Sequence, residues 1–333
     1  MAGPFRYVIT DMDGTLLSPD HFVSDYTRDT LKTLVHEHGV TLILATGRSY
    51  ADVRIIADNI KKYIWGDGTA VPGTQAPASP SRAPVIYLVT SNGATVHNGV
   101  THEVVSRTSI DPAVAEKLLQ LLPSDEKVVN TNAYQSDDWV CRIDWPEMMA
   151  ASKESGIRFI HVPQPLPSSS CALGSAAASP DTAARGIAIG DYTGISKIFF
   201  ITDDAVRLSS LADEVRAIDE AHGGPPLSLT FSTLDCMDIM ANGVTKGEAL
   251  KKLFGAILPS RDGVDVVADA LAHAIAFGDG LNDADMLTSV GKGCVMGNAN
   301  PKLIAQHQEL EVILTSAEDG VAKKLRSVFH LPL

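Results

Sequence analysis

Short, almost wholly apolar runs that close on polar turns set the strongest limit on what this chain can fold into. Tyr7–Ile9 runs into Asp11-Met12-Asp13-Gly14, and Val40–Ala45 into Thr46-Gly47-Arg48-Ser49. Val85–Val89 runs into Thr90-Ser91-Asn92-Gly93-Ala94. Ala274–Phe277 runs into Gly278-Asp279-Gly280-Leu281-Asn282-Asp283. Strands covered on both faces read as continuous apolar runs. Between the first three lie amphipathic helices. Ser24 is the expected N-cap of the first, Leu31, Leu34 and Val35 its stripe, and Gly39 its stop. Ser49 and Asp52 have capping-box spacing for the second, which is expected to bury Val53, Ile56 and Ile60. Strand, helix, strand, helix is the grammar of a parallel sheet.

The pattern is interrupted. From Thr95 to Ile239, strand-like pieces (Val104-Val105, Lys127–Val129, Trp139–Ile143, Lys197–Thr202) alternate with helical ones (Pro112–Leu122, Leu208–Ala221). Leu227–Ser232 and Cys236–Met240 read as a closing hairpin. Two stretches rich in Pro, Gly, Ala and Ser, 66–84 and 163–185, have nothing to bury and read as flexible insertions. After Asn242 the parallel pattern resumes, with a capping box at Thr245 and Glu248 and inward-facing Ala249, Leu250 and Leu253. The expected fold is α/β: a Rossmann-like parallel-sheet core from residues 1–94 and 240–333, with an inserted α+β domain at 95–239.

Bulk properties narrow the function classes. A net charge of −13 argues against broad binding to nucleic acid or anionic membrane. No apolar run approaches the ~18 residues of a membrane span, and no signal peptide is visible, so the cytoplasm is the default expectation. The four cysteines, Cys141, Cys171, Cys236 and Cys294, have no zinc-like spacing and read as reduced thiols.

In a parallel sheet the strand ends share one edge, where ligands bind. Asp11 and Asp13, Thr46, Lys246, and Asp279 with Asn282 and Asp283 can therefore converge. Crowded carboxylates need a cation or a shared proton. Hard divalent ions such as Mg²⁺ take carboxylate and phosphate oxygens. The set suits phosphoryl transfer: Asp11 as nucleophile, Asp13 as proton donor and later base, Thr46 as a hydrogen-bond donor to phosphate, Lys246 as a fixed charge at a helix start.

These motifs resemble those of the haloacid dehalogenase superfamily of phosphatases, in particular its Cof-like branch (subfamily IIB, with a C2-type cap). D-M-D-G-T-L-L, L-A-T-G-R (Leu44–Arg48), G-V-T-K-G-E-A-L (Gly243–Leu250) and G-D-G-L-N-D-A-D-M-L (Gly278–Leu287) match its four motifs in order. S-N-G-A (Ser91–Ala94), V-M-G-N-A (Val295–Ala299) and E-D-G-V-A (Glu318–Ala322) also resemble Cof-like proteins. The resemblance implies that residues 95–239 are a substrate-selecting cap. It implies that Asp11 is nucleophile and metal ligand, and that Asp13 is acid/base and binds metal through its main chain. Asp279 would complete the Mg²⁺ site, with Asp283 as its acidic companion. Thr46, Gly47, Lys246 and Asn282 would contact phosphate. Asn92, Gly93 and Arg48 are further candidates.

Plainer readings stand beside these. Asp and Gly are ordinary turn residues, Asn282 and Asp283 are good helix starters, and Asn92-Gly93 can be a turn. Trp139 and Trp145, flanking Cys141-Arg142, read as packing residues, and His21 carries no assigned role. The expected activity is hydrolysis of a small phosphorylated metabolite, such as a sugar phosphate. The alternatives are a phosphomannomutase-like sugar phosphomutase, which would yield isomerised sugar phosphate, or a phosphoacceptor protein, which would hold its phosphate without turnover. Oligomeric state is left open.

Overall fold

The computed structural model describes residues 3–66, 86–123, 126–136, 138–144, 146, 158–162, 187 and 190–332. The expected insertions at 66–84 and 163–185 lie almost entirely outside the described residues, as do Val85, Trp145 and Cys171. The chain divides into two compact units: 1–47, 53–106 and 245–333 form the first, 48–52 and 107–244 the second.

The first unit is built on an eight-stranded sheet. Its strands are β1 (Tyr7–Thr10), β2 (Thr41–Ala45), β3 (Ile86–Thr90), β4 (Thr95–Asn98), β5 (Val104–Arg107), β12 (Ala274–Gly278), β13 (Lys292–Val295) and β14 (Glu311–Val312). They lie in the order β14-β13-β12-β1-β2-β3-β4-β5. Every pair from β14 to β3 is parallel; β3 and β4 are antiparallel. The apolar runs dictate this: β1, β2, β3 and β12 are buried along their whole length.

Successive side chains point to opposite faces of a sheet. Tyr7, Ile9, Ile43 and Ala276 join Leu250, Leu253 and Phe254 of α5 (Lys246–Ile257), Leu271 of α6 (Val266–Ala272), Leu287 of α7 (Ala284–Ser289) and Leu303 of α8 (Pro301–Gln306) in one cluster. The alternate positions, Val8, Leu42 and Leu44, are equally buried, facing the opposite way. Three further helices belong to the sequence around them: α1 (Asp25–His38), α2 (Tyr50–Trp65) and α9 (Gly320–Val328), with α1 packed on α9.

The helix signals work as expected at α1, where Ser24 Oγ accepts from Thr27 N–H and Gly39 closes the helix at φ 63°. In α2 the buried stripe is Val53, Ala57, Ile60 and Ile64, and Ile56 is only half-buried. One expectation is corrected here. Val104-Val105 was placed with the inserted segment, but β4 folds back antiparallel on β3 and carries β5 with it to the edge of the core sheet.

The second unit has a six-stranded sheet: β6 (Asn130–Gln135), β7 (Asp138–Cys141), β8 (Arg158–His161), β9 (Ile195–Ile201), β10 (Ser228–Thr233) and β11 (Cys236–Met240), in the order β10-β11-β9-β6-β7-β8. Among the described residues only β7 and β8 of this sheet pair in parallel. One face packs Ala133, Ile198, Phe200, Met237 and Ile239 against α3 (Pro112–Leu119) and α4 (Ala205–His222). The alternate positions form a polar and aromatic face. On it Lys197 Nζ pairs with Asp238 at 3.0 Å, both side chains buried, and lies 4.6 Å from the Phe199 ring centre. Trp139 is part of that face, edge-on to Tyr134 and bonded to Asn132 Oδ1 at 3.0 Å. The strand expected at Lys127–Val129 begins instead at Asn130. Its N-T-N-A-Y-Q sequence is polar because this face is polar. Among the described residues no helix is long and apolar enough to cross a membrane.

Candidate active site

Register places the motif loops side by side. Thr10 of β1 pairs with Leu44 of β2 and with Phe277 of β12. Each strand then ends within two residues, at Asp11, Thr46 and Asp279. Asp11 N–H still donates to Phe277 O at 2.9 Å, so the first aspartate is held on the last rung of the ladder.

Lys246 occupies the centre. It opens α5, capped by Thr245 Oγ1, which accepts from Glu248 N–H at 3.1 Å. Its side chain is wholly buried, with Nζ 2.6 Å from Asp11 Oδ1 and 2.6 Å from Asp283 Oδ1. Burial alone would push the ammonium toward neutrality, and it is the largest single influence. The two carboxylates together override it and hold the lysine above its ordinary pKa. Asp11 is pushed well above the usual carboxylate range, first by burial, with Lys246 opposing and Asp283 and Asp279 adding repulsion. Asp279 rises to about 6, by burial and then by Asp283.

Asp283 is a brace as well as a charge. Its Oδ2 accepts from the N–H groups of Asp279 and Gly280, at 2.9 and 2.8 Å, which shapes the turn presenting Asp279. Thr15 Oγ1 donates to Asp279 Oδ1 at 2.9 Å from the other side.

Asp13 stands apart from this cluster. The chain leaves β1 in a wide turn, Met12–Leu16, with Gly14 at φ 72°. A Cβ at Gly14 would come within 2.4 Å of Asp279 Oδ2, so both the backbone and the space require glycine. The turn leaves the Asp13 side chain 44% exposed, with His21 Nδ1 3.5 Å from its Oδ1.

The side chains that converge from the acidic motifs are Asp11, Asp279 and Asp283. Each offers an oxygen within 4.8 Å of the others. Three carboxylates crowded this closely are a fitting seat for a hard dication. The expectation of Mg²⁺ therefore fits the residues present, although Asp13 is outside the side-chain cluster.

Thr46 is buried, its N–H donating to Val89 O at 2.8 Å and its carbonyl accepting from Asn92 N–H at 3.0 Å. Asn92 Oδ1 accepts from Asn282 Nδ2 at 3.0 Å. Ser91, Asn92 and Gly93 all have positive φ, 52°, 54° and 103°. Such a run stores on the order of 1–3 kcal/mol at each non-glycine residue. A Cβ on Gly93 would fall 2.2 Å from Thr245 O, the residue before Lys246. Thr46, Gly47, Asn92, Gly93, Lys246 and Asn282 thus belong to one loop cluster. The Arg48 guanidinium pairs with Asp52 at 3.1 Å.

Thr15 and Asn298 are the supporting residues that sequence reasoning left without a role. Asn298 Nδ2 donates to Gly14 O at 2.8 Å, and its Oδ1 accepts from Ser316 N–H at 2.8 Å, so it ties the Asp13 turn to the chain after β14. Its signal was the V-M-G-N-A stretch. Asp319 of E-D-G-V-A likewise accepts from Thr27 Oγ1 at 3.1 Å, tying the start of α9 to α1.

The model of one family, haloacid dehalogenase-like hydrolase, matches residues 8–325. A Haemophilus influenzae protein provisionally named a phosphatase is 34% identical, covering 98% of each chain. An Enterobacter protein named HMP-PP phosphatase is 30% identical, over 92% of this chain and 90% of its own. Among solved structures, a haloacid dehalogenase-like hydrolase from B. subtilis superposes with a TM-score of 0.68 at 19% identity, over 96% of this chain and 99% of its own. With its four motif loops gathered around Lys246 and a family match along nearly its whole length, the chain belongs to the haloacid dehalogenase-like hydrolases.

Proposed function

We propose that this hydrolase is a Mg²⁺-dependent phosphatase that releases phosphate from small phosphorylated metabolites through an aspartyl-phosphate on Asp11. The observation that carries the reading is the buried Lys246 ammonium bridging Asp11 and Asp283 at 2.6 Å. A fixed positive charge at a helix start, beside a carboxylate held on a strand end, is what a transferring phosphoryl group requires. Relatives named as phosphatases support it.

Asp11 attacks phosphorus; the bond from phosphorus to the ester oxygen breaks as Asp13 delivers its proton to that oxygen. Asp13 then takes a proton from water, which attacks phosphorus and frees Asp11. Partial exposure suits Asp13 to this exchange with solvent. Thr46, Gly47, Asn282 and Lys246 bind the phosphate oxygens. Asp11 and Asp279, with the main chain of Asp13, would hold Mg²⁺, which neutralises phosphate charge when bound. Asp283 keeps the Asp279 turn in shape and Lys246 charged.

Sugar phosphates and similar small esters are the substrate class assigned, with the inserted segment, 107–244, selecting among them as caps do in this family. The chain's acidity favours a small-molecule partner over nucleic acid. The test is a panel of phosphorylated sugars, nucleotides and cofactors, scored for free phosphate with Mg²⁺ and with chelator. Metal-dependent phosphate release is expected. Isomerised sugar phosphate without release would point to a mutase, and a long-lived phosphoprotein to a phosphoacceptor.

A further inference from the structure

The Ser91-Asn92-Gly93 turn has the marks of a working part, yet no step above uses it. It carries three consecutive positive φ angles, two at non-glycine residues. It is buried at every position. It touches three motif loops at once: Asn92 N–H bonds Thr46 O at 3.0 Å, Asn92 Oδ1 takes the Asn282 amide at 3.0 Å, and Gly93 packs on the Thr245 carbonyl. A Cβ at Gly47 would lie 3.0 Å from Asn92 Oδ1, so this side chain also lies against the second motif's glycine. A turn needing only to reverse the chain has cheaper solutions, and strain held by surrounding contacts gathers at functional sites.

We propose that Asn92 is a positioning residue that orients the Asn282 amide toward the phosphate. The inference rests on the phosphatase reading and deepens it. An asparagine amide has a donor end and an acceptor end, and only the donor end suits a phosphate oxygen. Asn92 Oδ1 accepts one N–H of Asn282 Nδ2 and thereby fixes which end faces which way. The second N–H of the same nitrogen is left for the substrate. Without the Asn92 oxygen the amide can rotate and present its own carbonyl to the anion. The left-handed conformation of Asn92, supported by its N–H bond to Thr46 O, aims that oxygen.

The test is a double-mutant cycle on the full chain with Mg²⁺, read as the inhibition constant for inorganic phosphate, with KM and kcat alongside. Asn92→Gly removes the acceptor while tolerating the positive φ. It is expected to weaken phosphate inhibition about tenfold, the size of one net hydrogen bond. Asn282→Ala should do the same, and Asn92→Gly with Asn282→Ala should be no worse than Asn282→Ala alone. Asn92→Asp, isosteric and also at home in the left-handed region, keeps the acceptor. In that background Asn282→Ala should still weaken inhibition about tenfold. This arm decides the matter even if Asn92→Gly does not fold. Multiplying defects in the first arm, or no effect of Asn282→Ala in the second, would overturn the proposal. Wild-type protein that releases no phosphate overturns the parent reading as well, so the two failures are distinct.

Discussion

Lys246 Nζ and Asp11 Oδ1 lie 2.6 Å apart, with the lysine wholly withdrawn from solvent and the aspartate side chain 9% exposed. Two ions this deep are stable only together, because each alone would face the full cost of lost hydration. The lysine thus does two things. It opposes the burial and the repulsion that push the Asp11 carboxyl upward, and it places a positive charge beside the reacting carboxylate.

Lys246→Ala strands Asp11 and Asp283 in the core. Destabilisation of about 3–5 kcal/mol is expected, measured by urea denaturation, because an uncompensated buried charge remains. Turnover should fall by at least about 10²-fold. Unchanged stability would mean that the carboxylates find other partners.

Asp279 links stability, pH and metal. Its folded pKa of about 6 lies above the 3.8 of an ordinary aspartate. Between these values the folded state binds more protons than the unfolded state. Metal-free stability from this group is therefore highest at low pH and declines as pH rises through about 6. The difference is on the order of 3 kcal/mol. Mg²⁺ should relieve it, so the metal-induced rise in melting temperature should be larger at neutral pH than at acid pH. Asp279→Asn should stabilise the metal-free protein at neutral pH and abolish the metal response. A metal response equal at both pH values would contradict this.

Gly14→Ala meets both a left-handed backbone and the Asp279 carboxylate. Strain of about 1–3 kcal/mol is expected. Displacing Asp279 should reduce kcat by about 10²-fold, since small misplacements near reacting atoms are magnified. Steady-state kinetics beside a melting curve would separate the two effects.

In the second unit the buried pair is Lys197 with Asp238. Lys197→Met alone should destabilise by about 3–5 kcal/mol, whereas Lys197→Met with Asp238→Leu should come much closer to wild type. If the double variant were as unstable as the sum of the singles, the pair would not be the unit that matters.

How much of this was legible beforehand follows from which forces act locally. Buried parallel strands announce themselves as apolar runs, and Ser24 and Thr245 announce helices by capping chemistry, so the core and its strand-end acids could be read directly. The resemblance supplied the roles. Asn130–Gln135 was misplaced because it contributes to the polar and aromatic face of its sheet, against the usual signal. Val104–Arg107 was assigned to the insertion because an antiparallel return onto β3 leaves no trace in the composition. Asp13 lies outside the carboxylate cluster because the Gly14 turn redirects it, which i, i+2 alternation along an ideal strand does not anticipate. Asn298 and Thr15 act through tertiary hydrogen bonds across 284 and 264 residues, which no local pattern encodes.

The most direct test of the central claim is single-turnover phosphate release by Asp11→Asn beside wild type, in Mg²⁺, with the best ester from the substrate panel. The amide is isosteric, so folding should be retained, but it cannot attack phosphorus. Loss of at least about 10⁴-fold is predicted. Phosphate release within a few-fold of wild type by a folded Asp11→Asn protein would contradict Asp11 as the nucleophile.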